Sequence, residues 1–106
     1  MAVNKIMYKG KRIKLIWEKV PDCLGIFDPN VNTLHIDPKL KPSTMAKIIF
    51  HELWHIICCF NKININLIGE ERSAMLSEQY AVILKNNPKL KRLLDKCLKP
   101  KKKKNT

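Results

Sequence analysis

One segment in the middle of the chain constrains the fold most strongly, because its apolar residues recur at steps of three and four. It runs from Met45 to about Phe60, and its apolar positions are Ala46, Ile49, Phe50, Leu53, Ile57 and Phe60. This spacing predicts an α-helix with one face buried in a core. Pro42 precedes the segment, and we expect the side-chain oxygen of Ser43 or Thr44 to cap the helix.

The residues before this helix alternate between apolar and polar types, as β-strands do. Two such runs flank Lys9-Gly10-Lys11, and in the second run Ile13, Leu15 and Trp17 alternate with Lys14, Ile16 and Glu18. A second predicted hairpin has strands at residues 25–28 and 33–37, joined by a turn at residues 29–32. In its last strand we expect Leu34 and Ile36 to face one side.

After the first helix, the sequence predicts a second helix from about Glu70 to Lys85 and a short third helix within residues 89–99. We expect residues 61–69 to form a loop or a short strand. At 106 residues, the chain is long enough for one modest core. The predicted fold class is α+β, with a small N-terminal antiparallel or mixed β-sheet followed by helices. We expect one domain at residues 1–98 and a disordered basic tail at residues 99–106.

The chain carries a formal net charge of +12, and its densest block is the C-terminal stretch KLKRLLDKCLKPKKKKNT. This charge is compatible with a nucleic-acid or ribosome surface, with an acidic partner, or with plain solubility. Lysine attracts phosphate without reading base sequence. The favoured interpretation is therefore a solvated tail that contacts polyanions or nucleic acid weakly.

The cysteines suggest a reducing compartment. Cys58 and Cys59 are adjacent and would point about 100° apart on a helix, which is a poor start for a disulfide framework. The start of the sequence lacks the apolar core of a secretory leader, and no apolar run is long enough to cross a bilayer. We expect a cytoplasmic protein without a membrane partner, its thiols free or bound to metal.

The stretch HELWH lies inside the predicted core-facing helix. His51 and His55 are one turn apart and present both imidazoles on the same face, the arrangement in which a helix offers two nitrogens to one Zn²⁺. Glu52 can reach a water molecule at the open position of that metal and act as its general base. The pattern therefore predicts a catalytic zinc site.

Two other interpretations of the same residues remain. The histidines can be ordinary polar residues on the flank of the helix, with Glu52 a solvated carboxylate. Alternatively, His51 and His55 can form a closed structural zinc site with Cys58 or Cys59, completed by Cys23 or Cys97. The closed site gives Glu52 no role, which argues against it.

A catalytic zinc needs a third protein ligand, and the second helix offers Glu70, Glu71 and Glu78. The face of Glu70 also carries small residues, which are Ser73, Ala74, Ser77 and Ala81. Small side chains allow two helices to approach closely, so this face favours Glu70. Glu71 remains open as the alternative, on a bulkier and more charged face.

The sequence contains the stretch FHELWH and, further on, the stretch GEERSAMLSEQYAVILKNNP. Together these stretches resemble the zincin metallopeptidases of the ImmA/IrrE type, especially small phage and prophage versions. In that family a short sheet precedes the H-E-x-x-H helix, and a later helix starts with a glutamate ligand in a pattern like E-x-x-A-x-x-F-A. Glu70, Ser73, Leu76 and Ser77 match that pattern, with serines in place of the usual alanines. The resemblance implies a gluzincin-type site with Zn²⁺ held by His51, His55 and Glu70. The hairpin at residues 25–37 resembles the family's edge-strand hairpin, whose last strand runs beside the cleft.

The implied function is a zinc metallopeptidase that cleaves a specific protein or peptide substrate, such as a regulator, in a bacterial or phage-infected cell. The pattern assigns no group that stabilises the transition-state oxyanion; Tyr80, His35 and Tyr8 are candidates by chemistry alone. The alternative function is a non-catalytic zincin-like or basic interaction protein that binds nucleic acid or an acidic partner.

Overall fold

The computed structural model describes residues 3–63 and 70–99, with no description of the side chains of residues 70–72. Within these ranges lie the strands β1 (Lys5–Tyr8), β2 (Lys11–Trp17), β3 (Gly25–Asp28) and β4 (Thr33–Ile36), then the helices α1 (Pro42–Phe60), α2 (Glu70–Asn86) and α3 (Pro88–Leu98). All seven elements match segments predicted from the sequence. The predicted tail beyond Lys99 and most of the predicted loop at residues 61–69 lie outside the described residues.

The strands form one mixed sheet in the order β1-β2-β4-β3. β1 pairs with β2 and β3 pairs with β4 in antiparallel hairpins, whereas β2 and β4 run parallel. The two hairpins are thus joined through their second strands, and β1 and β3 lie at the two edges. The predicted α+β class with a small mixed sheet is confirmed.

The sheet buries one face beneath the helices. Its fully buried side chains are Ile6, Ile13, Leu34 and Ile36, and Tyr8 and Leu15 are only 3% exposed. These residues alternate along the strands with exposed or half-buried ones. On the opposite face Lys5 is paired in register with Lys14, and both are exposed. The period-two pattern read from the sequence therefore gives the correct inward face.

α1 supplies the largest part of the helical core. Its buried residues include Met45, Ala46, Ile49, Leu53, Ile56, Ile57 and Cys58. The predicted cap by Ser43 or Thr44 is wrong. The helix begins at Pro42, with Lys41 as the N-cap residue and without a side-chain capping bond. Proline suits the first turn because its φ is already helical and that turn does not use its missing N–H.

β3 packs directly against α1, and Gly25 makes this contact possible. A Cβ atom at Gly25 would lie 2.6 Å from Cγ2 of Ile48 and 3.2 Å from the carbonyl oxygen of His35. No real side chain fits at the first of these distances. The missing side chain therefore lets the edge strand lie close to the helix that carries the two histidines.

The opposite edge of the sheet is closed by the side-chain amide of Asn87. The backbone N–H of Met7 donates to Oδ1 at 2.8 Å, and Nδ2 donates to the Met7 carbonyl at 2.9 Å. Nδ2 also donates to the carbonyl of Ile83 at 2.7 Å. The amide thus pairs with β1 as a neighbouring strand would, and it ties the α2–α3 junction to the sheet.

Replacing Asn87 by alanine is expected to lower the free energy of unfolding by about 1–3 kcal/mol, because it removes the partner of two partly buried backbone groups of Met7 and a buried bond to Ile83. Asn86→Ala is the matched control, since Asn86 is exposed and its loss should cost no more than about 0.5 kcal/mol. Urea unfolding of both variants measures the difference. Equal stabilities would show that Asn87 does not hold this edge.

In residues 3–63 and 70–99, no helix has both the length and the apolar character needed to span a membrane.

Candidate metal centre

His51 and His55 lie on the flank of α1, beside its buried face. Ile49, Leu53 and Ile56 are at most 1% exposed and anchor the helix in the core. His51 is exposed and His55 is half-buried. The packed face therefore fixes the backbone that carries the two rings, while the rings themselves remain accessible from solvent.

The two imidazoles meet at their Nε2 atoms, which are 3.0 Å apart. Their ring centroids are 4.6 Å apart and the ring planes are inclined by 80°. Two nitrogens bound to one tetrahedral zinc at 2.0–2.1 Å would be separated by about 3.3 Å. The observed spacing differs from this by a few tenths of an ångström, so small ring rotations would let both nitrogens bind one cation.

Glu52 completes the group of possible ligands on α1. One ligand atom from each of His51, Glu52 and His55 lies within 4.8 Å of the other two. Two imidazole nitrogens and a carboxylate are donors that zinc accepts. The residues present therefore fit a divalent metal, and in the described part of the chain they form a group capable of holding one.

The Glu52 side chain is buried, with only 7% of its surface exposed. Its Oε1 accepts a hydrogen bond of 3.0 Å from the backbone N–H of Phe27 on β3. This bond fixes one carboxylate oxygen against the edge strand. A carboxylate held in this way has a defined orientation toward the space beside the histidines.

Burial raises the pKa of Glu52 above its ordinary value of 4.5. The nearby His55 and His51 and the hydrogen bond from Phe27 oppose this effect, because each favours the charged carboxylate. Desolvation is the largest of these influences. The carboxylate therefore has a higher proton affinity than a solvated glutamate, which suits a general base.

The raised pKa predicts a specific pH dependence of the metal-free protein. The folded state holds the Glu52 proton to a higher pH than the unfolded chain does, so the free energy of unfolding falls as the pH rises from about 4.5 through the raised pKa. Glu52→Gln removes this step. The variant should be more stable than the wild type above that window and gain nothing below it.

Urea unfolding of both proteins with chelator present, at a series of pH values, measures the effect. If the free energies of unfolding of the wild type and Glu52→Gln ran parallel across the pH series, the predicted pH dependence would be contradicted.

An open cleft of about 330 Å³ adjoins this group, lined by Ile26, Phe27, Pro29, Glu52, His55 and Cys59. Its chemically active side chains, Glu52, His55 and Cys59, all come from α1. The facing wall comes from β3 and the turn that follows it. A second cavity of about 450 Å³ continues along β3 and includes His35. The candidate centre therefore opens onto the edge of the sheet.

The strand beside the cleft is β3, not the last strand of the hairpin. The resemblance placed the strand at residues 33–37 next to the site, but β4 lies inside the sheet between β2 and β3. The parallel pairing of β4 with β2 moves it inward and leaves β3 at the edge. The predicted position of the last strand is thus wrong.

The third ligand cannot be assigned from the described side chains. α2 begins at Glu70, but the side chains of Glu70 and Glu71 lie outside the described residues. The small residues expected to face α1, which are Ser73, Ala74, Ser77 and Ala81, are all exposed. The α2 side chains that join the core are instead Leu76, Tyr80, Ile83 and Leu84. The close approach expected from the small face is therefore absent here, and Glu70 stays a prediction.

The cysteines do not join the histidines in the described part of the chain. All four thiols are free, and the group capable of holding a metal contains no cysteine. Cys58 is buried in the core, and burial raises the pKa of its thiol. Cys59 is exposed and lines the cleft. The described residues therefore form no closed histidine and cysteine site.

Two of the three candidate oxyanion donors have structural partners. The Tyr80 hydroxyl donates to the carbonyl of Phe50 at 2.8 Å, and burial raises the pKa of Tyr80 to about 12. The Tyr8 hydroxyl donates to Oε1 of Gln79 at 2.7 Å and accepts from Nδ2 of Asn61. His35 is half-buried on β4 and lines the cavity that continues the cleft.

The contact that orients Glu52 has no signature in the sequence. Its donor is the backbone amide of Phe27, 25 positions away, and any residue except proline could supply it. The pairing depends on how closely β3 approaches α1.

No protein family, curated protein or solved structure matches this chain. The resemblance to ImmA/IrrE zincins therefore depends on the sequence motifs alone.

Proposed function

We propose that this chain is a zinc-dependent metallopeptidase of the ImmA/IrrE-like zincin type. His51 and His55 provide two ligands to the metal, Glu70 provides the third, and Glu52 is the general base. The observation that carries the proposal is the pair of Nε2 atoms 3.0 Å apart beside a buried carboxylate on an open cleft. An ordinary surface helix has no reason to bury a glutamate next to two histidines.

When bound, zinc supplies the Lewis acidity that makes water a nucleophile near neutral pH and polarises the carbonyl of the peptide bond. Glu52 removes the proton from the attacking water and transfers it to the leaving amine. The N–H of Phe27 holds Oε1 of Glu52, which leaves the second carboxylate oxygen to exchange the proton.

The substrate class follows from the cleft and the edge strand. β3 has no partner strand on its outer side in the described part of the sheet, and an extended peptide can pair with such an edge where its backbone groups are free. The N–H of Phe27 is not among these groups, because it is bonded to Glu52. The adjoining cleft is lined by apolar groups of Ile26, Phe27 and Pro29. We therefore infer a protein substrate with an extended segment, such as a regulator, which is the class that the resemblance implies.

A cytoplasmic location, in a bacterial or phage-infected cell, is part of the same proposal. It is supported by the four free thiols, because disulfides are rare in reducing compartments.

A crystal structure of the zinc-loaded protein, with anomalous scattering measured at the zinc edge, tests the ligand set directly. The expected result is one metal bound by His51, His55 and one glutamate of α2, with a position left for water. A metal held by four protein ligands, or a zinc-soaked crystal without metal at the two histidines, would overturn the proposal.

A further inference from the structure

The positive charge of this protein is unevenly distributed along its sequence. Residues 1–19 hold six Lys or Arg and one Glu. Residues 20–87, which contain β3, β4, α1 and α2, hold six Lys or Arg and seven Asp or Glu. Residues 88–106 hold nine Lys or Arg and a single Asp. A charge present only for solubility has no need of such segregation, whereas a surface that binds a polyanion requires it.

On α3 the cations fall into a row. Lys89, Arg92 and Lys96 follow one another at steps of three and four, and Lys99 comes directly after the helix. At 100° per residue these four positions lie within an arc of about 80°. All four are exposed. We call these residues the basic row.

The other sides of α3 are already occupied. Leu90 and Leu94 are buried in the core. Lys91 forms an ion pair with Asp95, Nζ to Oδ2 at 2.8 Å, on a neighbouring side of the helix. The single acidic residue of the segment is thus paired with a lysine outside the basic row, and its charge does not neutralise the row.

Further lysines extend the basic row at both ends. Lys5 and Lys89 line one groove of about 410 Å³ between β1 and the α2–α3 junction. Lys41, Lys96 and Lys99 line another depression of about 730 Å³ where α3 ends beside the start of α1. The cations therefore follow one continuous path over the surface instead of clustering at a point.

We propose that the basic row binds the phosphate backbone of double-stranded nucleic acid without reading its base sequence. From Lys89 to Lys99 the row covers about 15 Å, since a helix rises 1.5 Å per residue. One strand of a duplex presents about four phosphates over that length of its axis. The spacing of the row thus matches a line of phosphates.

The chemistry of the row selects a duplex over other anionic partners. Residues 81–106 contain no aromatic residue, so there is no platform on which unpaired bases could stack. Protein interfaces also depend on aromatic and apolar anchors at their centre, and the row has none. Lysine and arginine on a helix face supply what non-specific phosphate binding needs.

Anisotropy titrations of a short labelled DNA duplex, at several salt concentrations between about 50 and 200 mM, test this surface. The row variant is Lys89→Gln, Arg92→Gln, Lys96→Gln. A tail variant, Lys101→Gln, Lys102→Gln, Lys103→Gln, and a control variant, Lys11→Gln, Lys19→Gln, Lys47→Gln, lose the same charge elsewhere. Circular dichroism verifies the fold of each.

The row variant is expected to bind at least about tenfold more weakly at 100 mM salt, and its slope of log K against log salt should fall by about 2.7. The control variant should change the slope by less than about 1. A variant that keeps the charge, Lys89→Arg, Arg92→Lys, Lys96→Arg, should bind like the wild type.

Three results would overturn the proposal. The first is an equal loss of duplex affinity in the row and control variants, and the second is a loss of affinity confined to the tail variant. The third is competition by polyglutamate that is as strong as competition by unlabelled duplex. The last would identify an acidic protein as the partner. None of these measurements depends on zinc or on peptide hydrolysis, so they can fail independently of the proposed enzyme.

Discussion

Replacing Glu52 by glutamine is expected to reduce peptide hydrolysis by about 10²- to 10⁴-fold, the range that a general base contributes. Glutamine keeps the size of the side chain and an oxygen that can accept the Phe27 N–H bond. It cannot take a proton from water. The variant should therefore keep the fold and the zinc while it loses the reaction.

The measurement needs a peptide that the wild type cleaves, which mass spectrometry can find in a mixed peptide library. Glu18→Gln is the matched control, because Glu18 is exposed at the far end of β2 and should leave the rate unchanged. Zinc content is determined for each protein. A Glu52→Gln variant that cleaves at the wild-type rate would contradict the role of general base, and one without zinc would show that Glu52 acts as a ligand.

Replacing either His51 or His55 by alanine is expected to weaken zinc binding by more than about 100-fold. Changes in residues that only support a metal ligand typically lower the metal affinity by about 10–100-fold. Loss of a ligand lowers the affinity further, because it removes a bond to the metal itself. Zinc should consequently stop stabilising the fold. For the wild type, free zinc at about 1,000 times its Kd would add about 4.1 kcal/mol to the free energy of unfolding.

His35→Ala provides the control for both variants, since His35 is the remaining histidine of the chain and lies outside the group of possible ligands. Competition with a chelator measures affinity, and thermal unfolding with and without zinc measures the coupling to stability. Wild-type affinity in His51→Ala or His55→Ala would exclude the metal centre proposed here.

The local elements of this protein follow from short-range patterns. The three- and four-residue spacing around Leu53 requires a helix with one buried side, and the alternation around Leu34 requires a strand with one buried side. Both patterns describe how a single segment can hide its apolar groups from water. The helix pair His51 and His55 is local in the same way, because one turn of helix brings the two rings together wherever the helix lies.

Two predictions about the helices are wrong because other residues of the same helix have a stronger effect. Ser43 and Thr44 are good capping residues, yet α1 begins before them because Pro42 fits the first turn. On α2 the small residues predict a contact face, whereas the buried positions among its described side chains are Leu76 and Ile83. Burying large apolar groups releases more free energy than bringing small ones together, so the larger side chains determine which side of α2 faces inward.

The sequence by itself determined the α+β composition, the positions of the seven elements and the two histidines that share a helix face. Only the tertiary structure decided that β3 is the edge strand beside them, that the Phe27 amide holds Glu52, and that Lys5 and Lys41 lie near the two ends of the basic row on α3. The physical reason is the sequence separation of the residues that interact. A helix turn or a strand pleat relates residues a few positions apart, but hydrogen bonds and charges between distant segments depend on how whole elements pack.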